Sequence, residues 1–264
     1  MPDSFSLVDI GVNLAHDSFD ADRDEVLARA RQAGVARMVV TGSSLRSSEA
    51  AVKLAQEDPG LFATVGMHPH HADELDAGLM PRFVALAADP RVVAVGECGL
   101  DFFRDFSPRD RQESAFRLQL ELAMETGLPV FLHQRDAHER FLAILDECGA
   151  RRPAGVAHCF TGGPLEMKAY LDRGLYIGVT GWLCDERRGD TLREAVRYLP
   201  LDRVMIETDA PYLLPRDLKP RPRSRRNEPM HLPHVLEALA RWMEQPVEAV
   251  AAATSRNAEA LFRL

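Results

Sequence analysis

Eight short runs of aliphatic and β-branched residues, each closing on a polar or glycine-containing turn, punctuate the chain: LVDIGV, RMVVTG, FATVGMHP, VVAVGECG, PVFLHQ, GVAHCF, YIGVTG and VMIETDAP. Runs with so little polar alternation suit strands covered on both faces, the condition of an all-parallel sheet. Between them, helical patterns occupy 22–33, 47–56, 80–88, 109–126, 137–148, 164–172 and 190–199. In the fourth, Phe116, Leu120 and Ala123 share one face while Arg111, Glu113, Arg117 and Glu121 supply the wet one. Strand and helix therefore alternate along most of the chain. Eight alternations predict a closed (β/α)8 TIM barrel of the α/β class, with a doubly wound open sheet as the alternative from the same pattern. A single barrel domain over 1–264 accommodates the whole length.

Hydrophobic residues make up 46% and charged residues 27%, which excludes a disordered chain. The start, MPDSFSLVDIGVNL, lacks the basic opening and apolar run of a signal peptide, and no stretch has the length of a bilayer span. A cytoplasmic protein with no membrane partner is expected, and a monomer. The four cysteines, Cys98, Cys148, Cys159 and Cys184, are scattered without CxxC pairing, so the expectation is reduced thiols, with neither a disulfide framework nor a structural metal site.

A net charge of −8 speaks against a polyanionic partner, because phosphate binding leaves a basic footprint. The average hides a local exception. Between 216 and 226 the sequence RDLKPRPRSRR sets Arg216, Lys219, Arg221, Arg223, Arg225 and Arg226 against Asp217 alone. Such a run is ordinarily a solvated loop, but this one follows the eighth strand and so lies beside the strand ends that carry the chemistry.

Those ends hold the metal-capable side chains. Asp9 follows the first apolar run, His68 and His70 the third, Glu97 the fourth, His133 the fifth, His158 the sixth and Asp209 the eighth. In a barrel the C-terminal strand ends form one rim, so these residues converge on a common cavity. Singly, each has a plainer role as a hydrogen-bonded strand-end residue or helix cap. As a set, imidazole nitrogens and carboxylate oxygens suit magnesium, manganese or zinc, with one or two ions held and positions left open to water. Water is a poor nucleophile and a phosphodiester repels attack; a divalent cation answers both problems. Glu97 offers two oxygens as a bridge between metal positions, and Asp209 suits the partner of the attacking water, as ligand, general base or both.

The stretches GMHPH, GECGLDF, HQRDAHERF, HCFTG, GWLCDERRG, ETDAPYLLPRDL and SRRNEPMHLPHV occur in order across nearly the whole chain and together resemble the TatD family of metal-dependent deoxyribonucleases, amidohydrolase-like barrels. The resemblance implies a divalent-cation-dependent 3′-5′ exonuclease acting on single-stranded DNA and RNA, with a role in repair of oxidised DNA. It carries the metal ligands onto Glu97, His133 and His158, with Asp209 as the strand-eight acid, and makes His68 a substrate-facing residue.

One departure stands out. Most relatives open strand one with Asp-x-His-x-His, where this chain has Asp9, Gly11 and Asn13. The close TatD subgroup shares that loss. Fewer nitrogen ligands shift the preference towards magnesium, a hard ion that keeps its water, over tightly held zinc.

On chemistry alone, His68 can donate to a phosphate oxygen or a leaving group, or it can be a structural residue beside Pro69. Arg135 points into the same rim, where it meets a phosphate or pairs with Asp136 or Glu139. Arg226, within the basic run, and Arg187 and Arg188 after strand seven are candidates for tracking a nucleic-acid backbone, while Phe102, Phe103, Trp182 and Tyr212 offer faces for bases. His70, His71 and His138 are left as surface residues or supports for the ligands. Two alternatives compete: a barrel hydrolase of a small ester or amide, and a binding or quality-control factor that has lost its metal. Retention of Glu97, His133, His158 and Asp209 together favours catalysis.

Overall fold

The computed structural model describes residues 6–220 and 222–264, so Arg221 of the basic run lies outside the described residues, as does the chain before residue 6. Eight strands, β1 (Leu7–Val12), β2 (Val35–Val40), β3 (Leu61–Val65), β4 (Val92–Asp101), β5 (Val130–Arg135), β6 (Gly155–Ala157), β7 (Tyr176–Val179) and β8 (Val204–Ile206), make one sheet in chain order. The β3–β4, β4–β5, β5–β6 and β7–β8 pairs are parallel. The fold is the (β/α)8 barrel that the alternation predicts. Every residue of β1 and β4 is buried, which is why their sequences are mostly apolar, with Asp9, Glu97 and Asp101 the charged exceptions.

Helices follow the strands: α1 (Arg23–Gln32), α2 (Leu45–Glu57), α3 (Met80–Ala87), α4 (Arg109–Thr126), α5 (His138–Glu147), α6 (Pro164–Leu171) and α7 (Asp190–Val196), with α8 (Leu232–Met243) and α9 (Val247–Phe262) at the end. Proline stands in the first turn of α3, α6 and α8, where its missing N–H has no helical partner to lose. Five 3-10 turns among the described residues, at Asp17–Phe19, Pro69–Glu74, Gly149–Arg151, Gly181–Cys184 and Pro229–His231, are too short to show a periodic repeat.

The chain divides into two compact units, one running to Val39 and resuming over His158–Leu264, the other Val40–Ala157. In the first, β8 lies along β1: the Asp209 N–H donates to the Gly11 carbonyl at 2.8 Å and the Asn13 N–H to the Ala210 carbonyl at 2.7 Å. Leu232, Val235, Leu236, Leu239 and Met243 form the buried stripe of α8.

The second unit is organised by α4. Its Phe116 stacks on Phe141 of α5 with ring centroids 5.3 Å apart. Two buried glutamines on α4 grip the strand ends. Gln119 accepts from the Met67 N–H at 2.7 Å and donates to the Met67 carbonyl at 3.0 Å. Gln112 accepts from the Asp101 N–H at 2.8 Å and donates to the Asp101 carbonyl at 3.2 Å. A buried amide satisfied on both sides holds its partners in one geometry, so these contacts fix where β4 ends and where the chain leaves β3.

Candidate active site

Strand β4 runs two residues beyond the apolar pattern, to Asp101, and its register against β5 slips by one residue between Val95 and Cys98. The slip falls at Gly96 and Glu97. A bulge turns a strand locally and re-aims the side chain it carries. Gly96 has φ +144°, and a Cβ there would overlap the Phe131 carbonyl oxygen; no other residue fits beside β5.

The bulge sets Glu97 among histidines. Its Oε1 lies 3.0 Å from His133 Nδ1 and 3.4 Å from His68 Nε2, and these three residues each offer a ligand atom within 4.8 Å of the others. His133 Nε2 faces Asp101 Oδ2 at 3.3 Å, and His70 Nε2 meets the same oxygen at 2.9 Å. Asp101 Oδ1 accepts from the Phe103 and Arg104 N–H groups at 3.1 and 2.8 Å. Burial works against the Asp101 charge, but the donors from His133, His70 and Arg104 overcome it and hold the carboxyl far below the usual range. Asp101 is therefore an acceptor, and His133 carries its proton on Nε2 to serve it. The Nδ1 lone pair is left facing a carboxylate oxygen, an arrangement that requires a proton or a cation between the two. The donor set fits a divalent metal.

His68 plays a different part from His133. Its Nδ1 accepts the His70 N–H at 3.0 Å as the cap of the Pro69–Glu74 turn, so the neutral ring holds its proton on Nε2. Burial pushes the His68 pKa down to about 4. A ring of this tautomer presents an N–H, the group that donates to an anion, and here that nitrogen faces Glu97 Oε1. Arg135 lies over the Phe103 ring at 4.6 Å, and Phe103 is 54% exposed.

In the other unit, His158 repeats the pattern. Its Nδ1 lies 3.1 Å from Glu207 Oε2, and Glu207, fully buried, also accepts the Cys159 N–H through Oε1 at 2.5 Å. Asp209 stands at φ +52°, a sparsely populated conformation for a residue with a Cβ, and its Oδ1 accepts the Asn13 amide at 3.0 Å. Asn13, just past β1, thus supplies a neutral donor to Asp209. Asp9, expected among the metal-capable rim residues, is instead fully buried, with Oδ2 accepting the Thr208 hydroxyl at 2.5 Å and Oδ1 the Thr208 N–H at 2.9 Å. Burial raises its pKa to about 7 against those hydrogen bonds, so Asp9 braces the strand end below Asp209.

The arginines separate. Arg187 and Arg188 chelate the buried Asp185 carboxylate, at 3.0 and 3.1 Å, and Arg216 pairs with Glu186 at 2.9 Å. With Trp182, Leu213, Pro215 and Arg225 they line a cavity of about 550 Å³. Arg188 covers one face of Trp182 at 4.2 Å. Arg226 departs from the expected contact with substrate. Its guanidinium donates to both oxygens of Asp22 at 2.7 Å, to Glu228 at 2.8 Å and to the Ser18 carbonyl at 2.6 Å, and it lies 4.9 Å over Phe19. Four of its five N–H groups are engaged within the fold, leaving little for a phosphate.

The residues that sequence reasoning missed are Asp101 and Glu207, which back His133 and His158, and Asn13, which holds Asp209. A signal was available: Asp101 stands four residues past Glu97 on the same alternating face of β4, and Glu207 two residues before Asp209.

The family model for TatD-related DNases matches residues 8–263. The 3′-5′ ssDNA/RNA exonuclease TatD of Citrobacter rodentium is 54% identical over 97% of both chains, and that of Escherichia coli K12 is 50% identical over 97% of this chain and 98% of its own. Among solved structures, a TatD homologue from Escherichia coli K12 superposes with a TM-score of 0.90 at 28% identity, covering 98% of each chain, and a TatD-family hydrolase from Entamoeba histolytica does so with 0.90 at 26%, also over 98% of each. An amidohydrolase from Saccharomyces cerevisiae shares the fold with a TM-score of 0.84 at 21% identity, covering 98% of this chain and all of its own. By sequence over nearly its entire length and by fold, the chain belongs to the TatD-related DNase family.

Proposed function

We propose that the chain is a divalent-cation-dependent nuclease that hydrolyses phosphodiester bonds in single-stranded DNA and RNA in the 3′-5′ direction; its half-identical relatives are named 3′-5′ ssDNA/RNA exonucleases. The observation that carries the reading is the chain Glu97–His133–Asp101, in which a buried carboxylate and an imidazole lone pair face each other at 3.0 Å while a second carboxylate fixes the ring. Glu97 and His133 would hold the cation; His158 and Asp209 are the further ligands that the sequence resemblance implies. A bound divalent ion makes water a usable nucleophile and offsets phosphate charge. Asp209 would orient the attacking water and accept its proton, and the neutral His68 ring would donate a hydrogen bond from Nε2 to a phosphate oxygen or the leaving oxygen. Arg135, on its phenylalanine platform, meets the strand backbone.

Magnesium is the favoured ion, with manganese or zinc as substitutes, because Gly11 and Asn13 supply no imidazole. The test is a time course on end-labelled single strands with magnesium. A ladder shortening from the 3′ end is expected for the wild type, and Glu97→Ala or Asp209→Ala should each slow it by more than about a hundredfold. Cleavage that survives both substitutions, or a protein active only on p-nitrophenyl esters and amides, overturns the reading.

The part in repair follows from the resemblance and is checked by peroxide survival of a deletion strain complemented with wild type or Glu97→Ala. No helix of the described residues is long and apolar enough to cross a membrane.

A further inference from the structure

Away from the residues assigned to hydrolysis, three side chains from three segments meet. Cys184 closes the Gly181–Cys184 turn after β7, Asp217 sits in the loop after β8, and His234 lies in the first turn of α8. His234 Nε2 is 2.7 Å from Asp217 Oδ1, and one ligand atom of each of the three residues lies within 4.8 Å of the other two. We propose that Cys184, Asp217 and His234 form a binding site for a divalent cation of the zinc class, separate in every residue from the hydrolytic ligands.

The donor chemistry selects the ion. Thiolate sulfur, imidazole nitrogen and one carboxylate oxygen form a set that zinc accepts in tetrahedral geometry with water in the fourth position, and that magnesium, an oxygen-seeking octahedral ion, does not. Zinc bonds of about 2.0–2.3 Å put tetrahedral ligand atoms roughly 3.5 Å apart, within the 4.8 Å that bounds the trio, and the His234–Asp217 pair, now at 2.7 Å, must open to let the ion in. Asp217, with its side chain 43% exposed on a loop, has the freedom to make that movement, while Cys184 at 4% exposure and His234 on a helix stay in place. Without a cation the cluster is held by hydrogen. Burial, reinforced by the Asp217 charge, pushes the Cys184 thiol up to about 12 against the nearby Arg241 and Arg193, so it is no nucleophile at neutral pH. A cation that binds there displaces the thiol proton to solvent, and the proton His234 shares with Asp217 through Nε2 passes to Nδ1, leaving the Nε2 lone pair to ligate.

The site has a structural consequence. Asp217 follows Arg216, which is tied to Glu186, and the same loop supplies Leu213, Pro215 and Arg225 to the arginine-lined cavity. Occupancy joins this loop to α8 and stiffens one wall of that cavity. The inference also revises the expectation that the scattered cysteines hold no metal.

Cobalt(II) tests it, because a cobalt–thiolate bond gives a near-ultraviolet charge-transfer band that nitrogen and oxygen ligands lack. Titration of the full-length protein with cobalt should develop the band, zinc should abolish it, and millimolar magnesium should not. Cys184→Ser should remove the band, and His234→Ala and Asp217→Asn should each weaken cobalt binding by at least about tenfold with unchanged circular dichroism. The proposal fails if the wild type shows no band, or if the band survives Cys184→Ser and disappears in Cys159→Ser, which would place the sulfur beside His158. Should Cys184→Ser not fold, the His234→Ala titration decides, and unchanged cobalt affinity there overturns the site. None of these readouts depends on nuclease activity.

Discussion

A metal-ligating histidine usually donates its other ring N–H to an acceptor, and Asp101 and Glu207 stand as such acceptors beside the proposed ligands His133 and His158. Replacing either carboxylate leaves the ligand in place but frees its ring. Asp101→Asn and Glu207→Gln should each weaken the ion that supports cleavage by about 10- to 100-fold, read as a rightward shift in the magnesium or manganese dependence of activity, with recovery at saturating ion. A loss that saturating ion does not restore would show that these acids act elsewhere. Arg226 carries a second prediction at this scale. Its hydrogen bonds, opposed by partial burial and aided by Arg29, hold the Asp22 carboxyl down at about 2. A depressed carboxylate contributes stability that is present above its unfolded value near 3.8 and is lost as pH falls towards 2. Arg226→Gln should therefore lower the melting temperature at neutral pH, with the difference from wild type shrinking as the pH drops from about 4 towards about 2. A raised KM with an unchanged melting temperature would instead restore Arg226 to the substrate contacts expected from sequence.

At the scale of elements, the ligand geometry depends on how β4 meets β5. Gly96 and Gly99 both stand at φ +144°, and a Cβ on Gly99 would overlap the carbonyl oxygen of His133 itself. Gly99→Ala should destabilise the protein by about 3 kcal/mol or more in chemical denaturation, combining a strained backbone with overpacking, and should weaken ion binding in the fraction that folds. An alanine variant with wild-type stability would mean that β4 can move off β5. The glycines were visible in GECG, but what they accommodate was not, because the bulge exists only once β5 lies alongside. Gln112 and Gln119 make the same point from the helix side: two turns apart on one face of α4, they read as polar interruptions of an apolar stripe until the backbones of Met67 and Asp101 fill their amides.

For the molecule as a whole, a net charge of −8 coexists with arginines gathered on one loop and the turn after β7. Part of that positive charge is matched: Arg187 and Arg188 share Asp185, and Arg216 pairs with Glu186. If a single strand follows the arginines and Arg135, binding should weaken with salt at a logarithmic slope of about −0.7 for each phosphate neutralised, and Arg135→Ala should flatten the slope by roughly one such unit. A salt-independent KM on oligonucleotides would remove the electrostatic part of the proposal.

The amino-acid sequence by itself determined the strand–helix order and the barrel class, because apolar periodicity is a local property written within a few residues. It set Glu97 and His133 at the ends of strands four and five, whereas β4 runs on to Asp101 and β5 to Arg135, with His158 just after β6 and Asp209 three residues after β8. Only the tertiary structure decided which acid backs which histidine, that Arg226 serves Asp22, that Asn13 holds Asp209, and that Cys184 finds Asp217 and His234. Those pairings join segments distant along the chain. They come from the packing of whole elements, and hydrogen bonds of this kind leave no periodic trace in the residues that make them.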